Sequence, residues 1–291
     1  MIIKDWLVEK NNFTEVELKI ASYFSDSSNH WKDMSLRSIA KSIYVSPSAI
    51  TRFCKKAGFS GYNEFRNAYF KEKAYLQNQK KNINPSFPFE YVDNVDEISN
   101  KIKDLYIQTI NDTFSLLKFD KLEHVKGLLD KFDNIVVFSL GNLAPLYNFQ
   151  YKMLKIGKQV SVISRTDEAY YYVKFHAKDY LFILVSYTGE TPLVLKVARQ
   201  LQRLKAETIS LTSLGGNTLS TLTDLIFNIA TGEKLTDNFG DYSLAISENY
   251  LFDLFYSLEF SNDFIQNYHL KSETAKEYQR ERKSNNSLLN N

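Results

Sequence analysis

Two short stretches of this 291-residue chain bring together side chains that can grip an anion or read a base. The first, Ser46-Pro47-Ser48-Ala49-Ile50-Thr51-Arg52-Phe53-Cys54-Lys55-Lys56, interleaves hydroxyls with cations. An arginine fork matches guanine O6 and N7, hydroxyls reach base edges or phosphates, and lysines add salt-sensitive attraction to a nucleic-acid backbone. The second, Ser186-Tyr187-Thr188-Gly189-Glu190-Thr191, sets three hydroxyls around a glycine. Such a loop can offer uncharged donors to a phosphate. It is equally a good helix start, with Thr188 or Thr191 satisfying the first free amides. Groups suited to proton transfer are sparser: His176, Glu190 and Glu248 are not paired by any motif, and Glu190 reads most simply as a first-turn carboxylate favoured by the helix dipole. One cysteine and four scattered histidines give neither a disulfide nor a zinc-type ligand cluster, and no metal or cofactor is expected. Cys54 is most simply a small core residue.

The elements that must carry these residues can be read from the pattern. Ser35 is a good N-cap, and Leu36, Ile39, Ala40 and Ile43 repeat at helical spacing, which predicts a short helix from about Leu36 to Ser42. After a turn at Ile43-Tyr44-Val45, Ser46-Pro47 opens a second helix with a cap residue and a proline at its first position. That helix turns Ile50, Phe53 and Cys54 inward and leaves Ser48, Thr51, Arg52 and Lys55 on other faces; Gly58 ends it. Two short helices and a tight turn make either a helical hairpin of a small bundle or a helix-turn-helix whose second helix enters the DNA major groove. On the second reading the DNA contacts are Arg37, Ser46, Ser48, Thr51, Arg52 and Lys55. Lys41 and Lys56 would add attraction, and Ser46 with the helix-start amides would hold a phosphate.

The net charge of +2 argues against nucleic acid only until it is divided. Residues 1–80 carry 13 Lys plus Arg against 8 Asp plus Glu, a net +5, and the remainder carries −3. No acidic residue falls between Asp33 and Glu64, the stretch that contains both short helices. At 44% hydrophobic and 24% charged residues the composition is globular. The longest apolar run, Tyr180 to Val185, is far too short to span a bilayer, and MIIKDWLVEK lacks the apolar core of a signal peptide, so a cytoplasmic protein without membrane contact is expected.

After Phe70 the chain becomes polar and holds Pro85 and Pro88, two of only five prolines. This predicts a helical domain over 1–75 and a linker over 76–94. A long helical pattern from Val95 to Leu117 and a shorter one from about Lys121 to Lys131 follow. Strands are expected at Ile135–Phe138, Val160–Ile163, Tyr180–Val185, Thr208–Leu211 and Leu225–Ile229. Helices at Leu143–Ile156, Asp167–Ala177, Thr191–Leu204 and Asn217–Leu222 separate them. The alternation is that of a doubly wound parallel α/β sheet, whose ligands sit beyond the C-terminal ends of the strands. Gly141 and Pro145, Gly189 and Pro192, and Gly215-Gly216 punctuate those ends. The domain is expected to run over 95–270, and 271–291 to be a helix fraying into a tail.

The stretch LRSIAKSIYVSPSAITRFCKKAGFSGYNEFR resembles the DNA-binding domain of RpiR-type (MurR/RpiR) bacterial transcription regulators. The residues that carry the resemblance are Ala40, Val45, Ser46, Thr51, Arg52, Phe53, Gly58, Phe59, Tyr62, Glu64 and Phe65; Tyr44 stands where a glycine is frequent. Residues from about 134 to 230 resemble the SIS (sugar isomerase) domain that follows in those regulators, and the likeness covers about residues 1 to 260. It implies that Ser186, Thr188, Gly189 and Thr191 contact a phosphosugar, together with Gly141 and Asn142 of the first loop. That first loop is commonly G-x-G-x-S. Here it is Ser139-Leu140-Gly141-Asn142-Leu143, so one phosphate-contacting hydroxyl is gone. Either Asn142 or Ser139 compensates, the ligand differs, or the pocket has weakened.

The expectation is a DNA-binding regulator of sugar metabolism whose α/β domain senses a phosphorylated sugar, and not an enzyme. Its partners would be double-stranded operator DNA, a sugar-phosphate effector and a second copy of itself. The aromatic segment Tyr250–Tyr256 is either a surface for that self-association or buried core. The competing expectation is a phosphosugar isomerase with an accessory helical domain, since SIS domains also occur in such enzymes.

Overall fold

Serine caps shape the first part of the chain. The computed structural model describes residues 3–8, 13–26, 29–79, 83–230 and 232–278, with only the backbone course of 75–79. Helix α3 (Leu36–Ser42) starts at Ser35, whose Oγ accepts from Ser38 N at 3.1 Å, and α4 (Pro47–Lys56) starts at Ser46, whose Oγ accepts from Ala49 N at 3.2 Å. Tyr44 in the turn between them keeps a left-handed φ of 56° with its side chain exposed. For a residue with a Cβ that conformation costs about 1 kcal/mol, which is why glycine suits the position. Helices α1 (Ile3–Val8), α2 (Glu15–Ser25) and α5 (Tyr62–Gln79) enclose the pair. Their common core is aromatic: Phe24, Trp31, Phe53 and Phe65 are all buried, with Phe24 4.5 Å from Trp31 and 5.2 Å from Phe65 between ring centroids.

Helices α1 and α2 are absent from the expectations above, although Thr14 and Glu17 form a reciprocal capping box at the start of α2. Helix α5 also continues to Gln79, into the stretch expected to be linker. Residues 86–89 are held in place. Ser86 is fully buried; its Oγ accepts from Lys234 N at 2.9 Å and its carbonyl from Phe239 N at 2.9 Å. Phe87 and Phe89 both pack on Phe239, each with ring centroids 5.1 Å apart. This first compact unit runs through Ser115, so it includes α6 (Val95–Leu116), and it takes in the segments Leu214–Gly216 and Gly232–Phe239.

The second unit is an α/β sandwich. Five parallel strands, β1 (Asn134–Ser139), β2 (Gln159–Ile163), β3 (Leu181–Val185), β4 (Thr208–Ser213) and β5 (Leu225–Ile229), lie in the order β2-β1-β3-β4-β5. Their register pairs Ile135 with both Val160 and Leu181. Both faces are buried, as continuous apolar strands require. Ile135, Val137, Leu181, Ile183 and Val185 point to the side covered by α7 (Phe119–Lys131), α8 (Ala144–Leu154) and α11 (Tyr242–Asn262). Val136, Phe138, Phe182 and Leu184 point to the side covered by α9 (Thr166–His176) and α10 (Pro192–Leu204). Leu251, Phe252 and Phe255 belong to the first of these cores, which is the buried alternative for the aromatic segment. The helix expected at Asn217–Leu222 is a single 3₁₀ turn, Leu219–Thr221, with Asn217 Oδ1 accepting from Ser220 N ahead of it. Helix α12 runs from Phe264 to Tyr278, and the rest of the expected tail, 279–291, lies outside the described residues. No described helix is long and apolar enough to cross a membrane.

Candidate functional site

The expected DNA-contacting residues fall on α4 and its cap, apart from Arg37 on α3. Helix α4 is anchored by Ile50, Phe53 and Cys54, all buried, which leaves Ser46, Ser48, Arg52 and Lys55 exposed and Thr51 half-buried. The hydroxyls are already engaged. Ser46 and Ser48 share a hydrogen bond at 2.9 Å, and Thr51 Oγ1 donates to the Pro47 carbonyl at 3.1 Å. A phosphate at this helix start would therefore meet hydroxyls that must exchange partners, together with amides already oriented outward. Arg37, Arg52 and Lys55 are exposed and in no ion pair among the described residues. Lys56 differs from expectation: its Nζ pairs with Glu17 at 2.9 Å, and the exchange helps hold that carboxyl below its usual range, after the backbone bond from Thr14. It ties α4 to α2 and is not a spare cation. Cys54 is buried, and burial pushes its thiol up to about 12, which is the core role expected of it.

The loops expected to hold an effector follow the adjacent strands β1 and β3 at the C-terminal edge of the parallel sheet. Ser186 continues β3 with its amide donating to the Leu211 carbonyl at 3.0 Å, and its buried Oγ is 2.9 Å from Thr191 Oγ1. Thr188 Oγ1 accepts from Glu190 N at 3.1 Å, closing a tight turn. Neither threonine caps α10: Thr191 makes no side-chain cap bond, Thr188 Oγ1 takes the Glu190 amide ahead of the helix, and Pro192 brings no amide. The loop thus offers a hydroxyl pair beside an uncapped helix start, the electropositive arrangement that suits a phosphate.

Glu190 has a different part from the one expected. Its carboxylate accepts from Thr218 N at 2.6 Å and Thr218 Oγ1 at 2.8 Å, and these bonds, the backbone one foremost, hold its carboxyl below the usual range. It ties the Ser186 loop to the loop after β4. Asn217 braces the loop after β4 from within, donating to Thr212 Oγ1 at 3.0 Å and accepting from Ser220 N at 3.0 Å. Sequence reasoning missed this residue, for which Asn217 following Gly215-Gly216 is the only local sign. Gly189 has φ +66° and lies directly on the Asn217 side chain, where an added Cβ would collide. Gly189→Ala is therefore expected to cost about 2 kcal/mol or more; matching urea midpoints for variant and wild type would show that the loop is not packed this way.

In the first loop Ser139 is buried and its Oγ accepts from Gly141 N at 3.1 Å, so it shapes the loop and is not offered outward. Asn142 is exposed, its Oδ1 accepting from Ala144 N at 3.1 Å at the start of α8. Gly141 is also exposed, and a Cβ there would meet nothing closer than Ser139 Oγ at 3.7 Å. His176 ends α9, its ring 4.6 Å from that of Tyr180. Since α9 descends from the end of β2 and β3 begins at Leu181, His176 is at the sheet edge opposite the loops. No cluster of metal-ligating side chains occurs among the described residues.

Comparison with known proteins agrees with this layout. Residues 7–79 match the helix-turn-helix domain of the rpiR family, and residues 129–251 match the SIS domain. An HTH-type transcriptional regulator of Haemophilus influenzae is 27% identical over 252 residues, 85% of either chain. The fold is similar to that of Vibrio vulnificus NanR, solved in complex with ManNAc-6P (TM-score 0.58, 18% identity, 97% of this chain and 100% of that one). It is also similar to the sugar isomerase domain of an RpiR transcription factor from Sphaerobacter thermophilus (TM-score 0.53, 12% identity, 61% of this chain and 98% of that one).

Proposed function

We propose that this chain, an RpiR-type regulator by its rpiR-family helix-turn-helix and SIS domains, binds operator DNA through α4 and releases or tightens it when a phosphorylated sugar occupies the loops of its α/β unit. The observation that carries the effector half is the Ser186–Thr191 hydroxyl pair beside the uncapped start of α10. Residues 1–75 supply the DNA-binding part, with Arg37, Arg52 and Lys55 as free cations and Ser46, Ser48 and Thr51 as exchangeable hydroxyls. Gly141, Asn142, Ser186, Thr188, Gly189 and Thr191 line the effector loops. Effector and DNA favour different arrangements of the chain, so each changes the other's affinity by the same factor. A two-fold operator calls for a homodimer, acting in the cytoplasm.

The isomerase reading needs a paired acid and base at the loops. Glu190 is committed to Thr218 there and His176 is at the far edge, which leaves Glu248 as a single carboxyl with no acid–base partner and supports a regulator without catalysis. The test is a thermal-shift panel of pentose and hexose phosphates. A ligand at 100 times its Kd adds about 2.7 kcal/mol to stability, and Ser186→Ala should abolish the shift. No response to any member would overturn the effector assignment, and turnover of one would favour the enzyme.

A further inference from the structure

Among the described residues, Glu248 Oε2 is the one buried side-chain nitrogen or oxygen with no hydrogen-bond partner. The residue is 3% exposed, and burial, reinforced by the negative charge of Asp241, lifts its carboxyl to about 8, so it is largely neutral at pH 7. Buried polar atoms are almost always satisfied, so an exception calls for a functional or structural explanation, of which a partner from outside the chain is one.

The packing of α11 fixes where that place is. Ala230 N donates to Ser247 Oγ at 3.3 Å just beyond the end of β5, and lower down Phe255 meets Phe227 with ring centroids 5.0 Å apart. Helix α11 therefore descends from the C-terminal edge of the sheet, as α8 does after β1. The two helices meet at Phe252 and Phe149, with centroids 4.9 Å apart. One helical turn toward the start of each lie Glu248 and Pro145. Glu248 is thus level with the first turn of α8, the helix that the loop 139–143 leads into. In that loop Leu143 brings no hydroxyl, and the Oγ of buried Ser139 accepts from Gly141 N within the loop. The orphaned oxygen and the depleted loop coincide at the edge where the effector loops emerge.

We propose that Glu248 is a specificity-determining residue of the effector site, its carboxyl pairing with a hydroxyl on the sugar portion of the ligand. The assignment rests on the reading of Ser186–Thr191 as the phosphate site. A neutral carboxyl presents one donor and one acceptor, and so does a hydroxyl, so both groups are satisfied without placing a second charge beside the phosphate. Glutamine keeps a donor and an acceptor of the same size; leucine keeps only the bulk.

Calorimetric titration of the full-length protein with glucose 6-phosphate, fructose 6-phosphate and inorganic phosphate separates the two readings. Glu248→Leu should weaken the better sugar phosphate by about tenfold or more while leaving inorganic phosphate unchanged, which also shows that the variant is folded. Glu248→Gln should stay near wild type, and Ser186→Ala should weaken sugar phosphate and inorganic phosphate alike. Equal loss of both ligands in Glu248→Leu, or no loss of either, overturns the role of Glu248 and leaves the phosphate site standing. Wild-type protein that binds none of the three overturns the site and the Glu248 assignment together.

Discussion

With Arg52 replaced by alanine, affinity for a duplex that the wild-type protein selects from a random pool falls by about 10- to 100-fold, while weak binding to unrelated DNA persists. Losing one bidentate base contact costs about 1–3 kcal/mol. Arg52 can be removed cleanly because it is exposed and in no ion pair among the described residues, and its helix is held from the other side by Ile50, Phe53 and Cys54. Lys55→Ala should behave differently, weakening selected and unrelated duplexes alike and lowering the salt slope by about 1. Thr51→Ala releases a hydroxyl that bonds only the Pro47 carbonyl, so its effect on folding is small and any loss of affinity reports on DNA. Gel shifts at several salt concentrations decide the matter. Full affinity in the Arg52→Ala, Thr51→Ala double variant would sink the DNA-reading role of α4.

Glu248→Gln stabilises the protein at neutral and mildly alkaline pH, and its advantage over wild type widens with pH. The Glu248 carboxyl rises from 4.5 when unfolded to about 8 when folded. Between those values the native state holds a proton that the unfolded state has lost. Stability from this group is therefore complete below about pH 4.5 and drains away as pH climbs to about 8, by up to about 1.4 kcal/mol per pH unit. Glutamine has nothing to titrate. Urea melts of both proteins at pH 5.5, 7 and 8.5 should diverge upward for the variant, and parallel curves would mean that Glu248 is charged in the folded protein. Asp112 on α6, which burial pushes up to about 6, acts with the same sign at lower pH but is common to both proteins.

The two stretches differ in how much of them can be read from sequence. Helices α3 and α4 follow from local rules: Ser35 and Ser46 cap them, Pro47 fits a first helical position, and apolar residues repeat every three or four. The strands were legible as well, since only a sheet buried on both faces needs runs such as Leu181–Val185. What escaped depends on partners distant in the chain. Glu190 looks like a helix-dipole carboxylate until Thr218, 28 residues on, claims it. The collision that makes Gly189 obligatory is with Asn217, and the bond that makes Lys56 structural is with Glu17. Glu248 is plain in the sequence, but α11 is apolar around most of its circumference, so periodicity does not reveal which side meets the sheet.

The solitary cysteine makes the chain its own stopwatch. Cys54 is fully buried in the helical unit and protonated far above neutral pH, so a thiol reagent can reach it as thiolate only when that unit opens. With no other thiol in the sequence, labelling of the whole protein counts openings around α4 and nothing else. The rate measured with and without DNA, or with a ligand at the α/β unit, registers how strongly each holds the recognition helix closed.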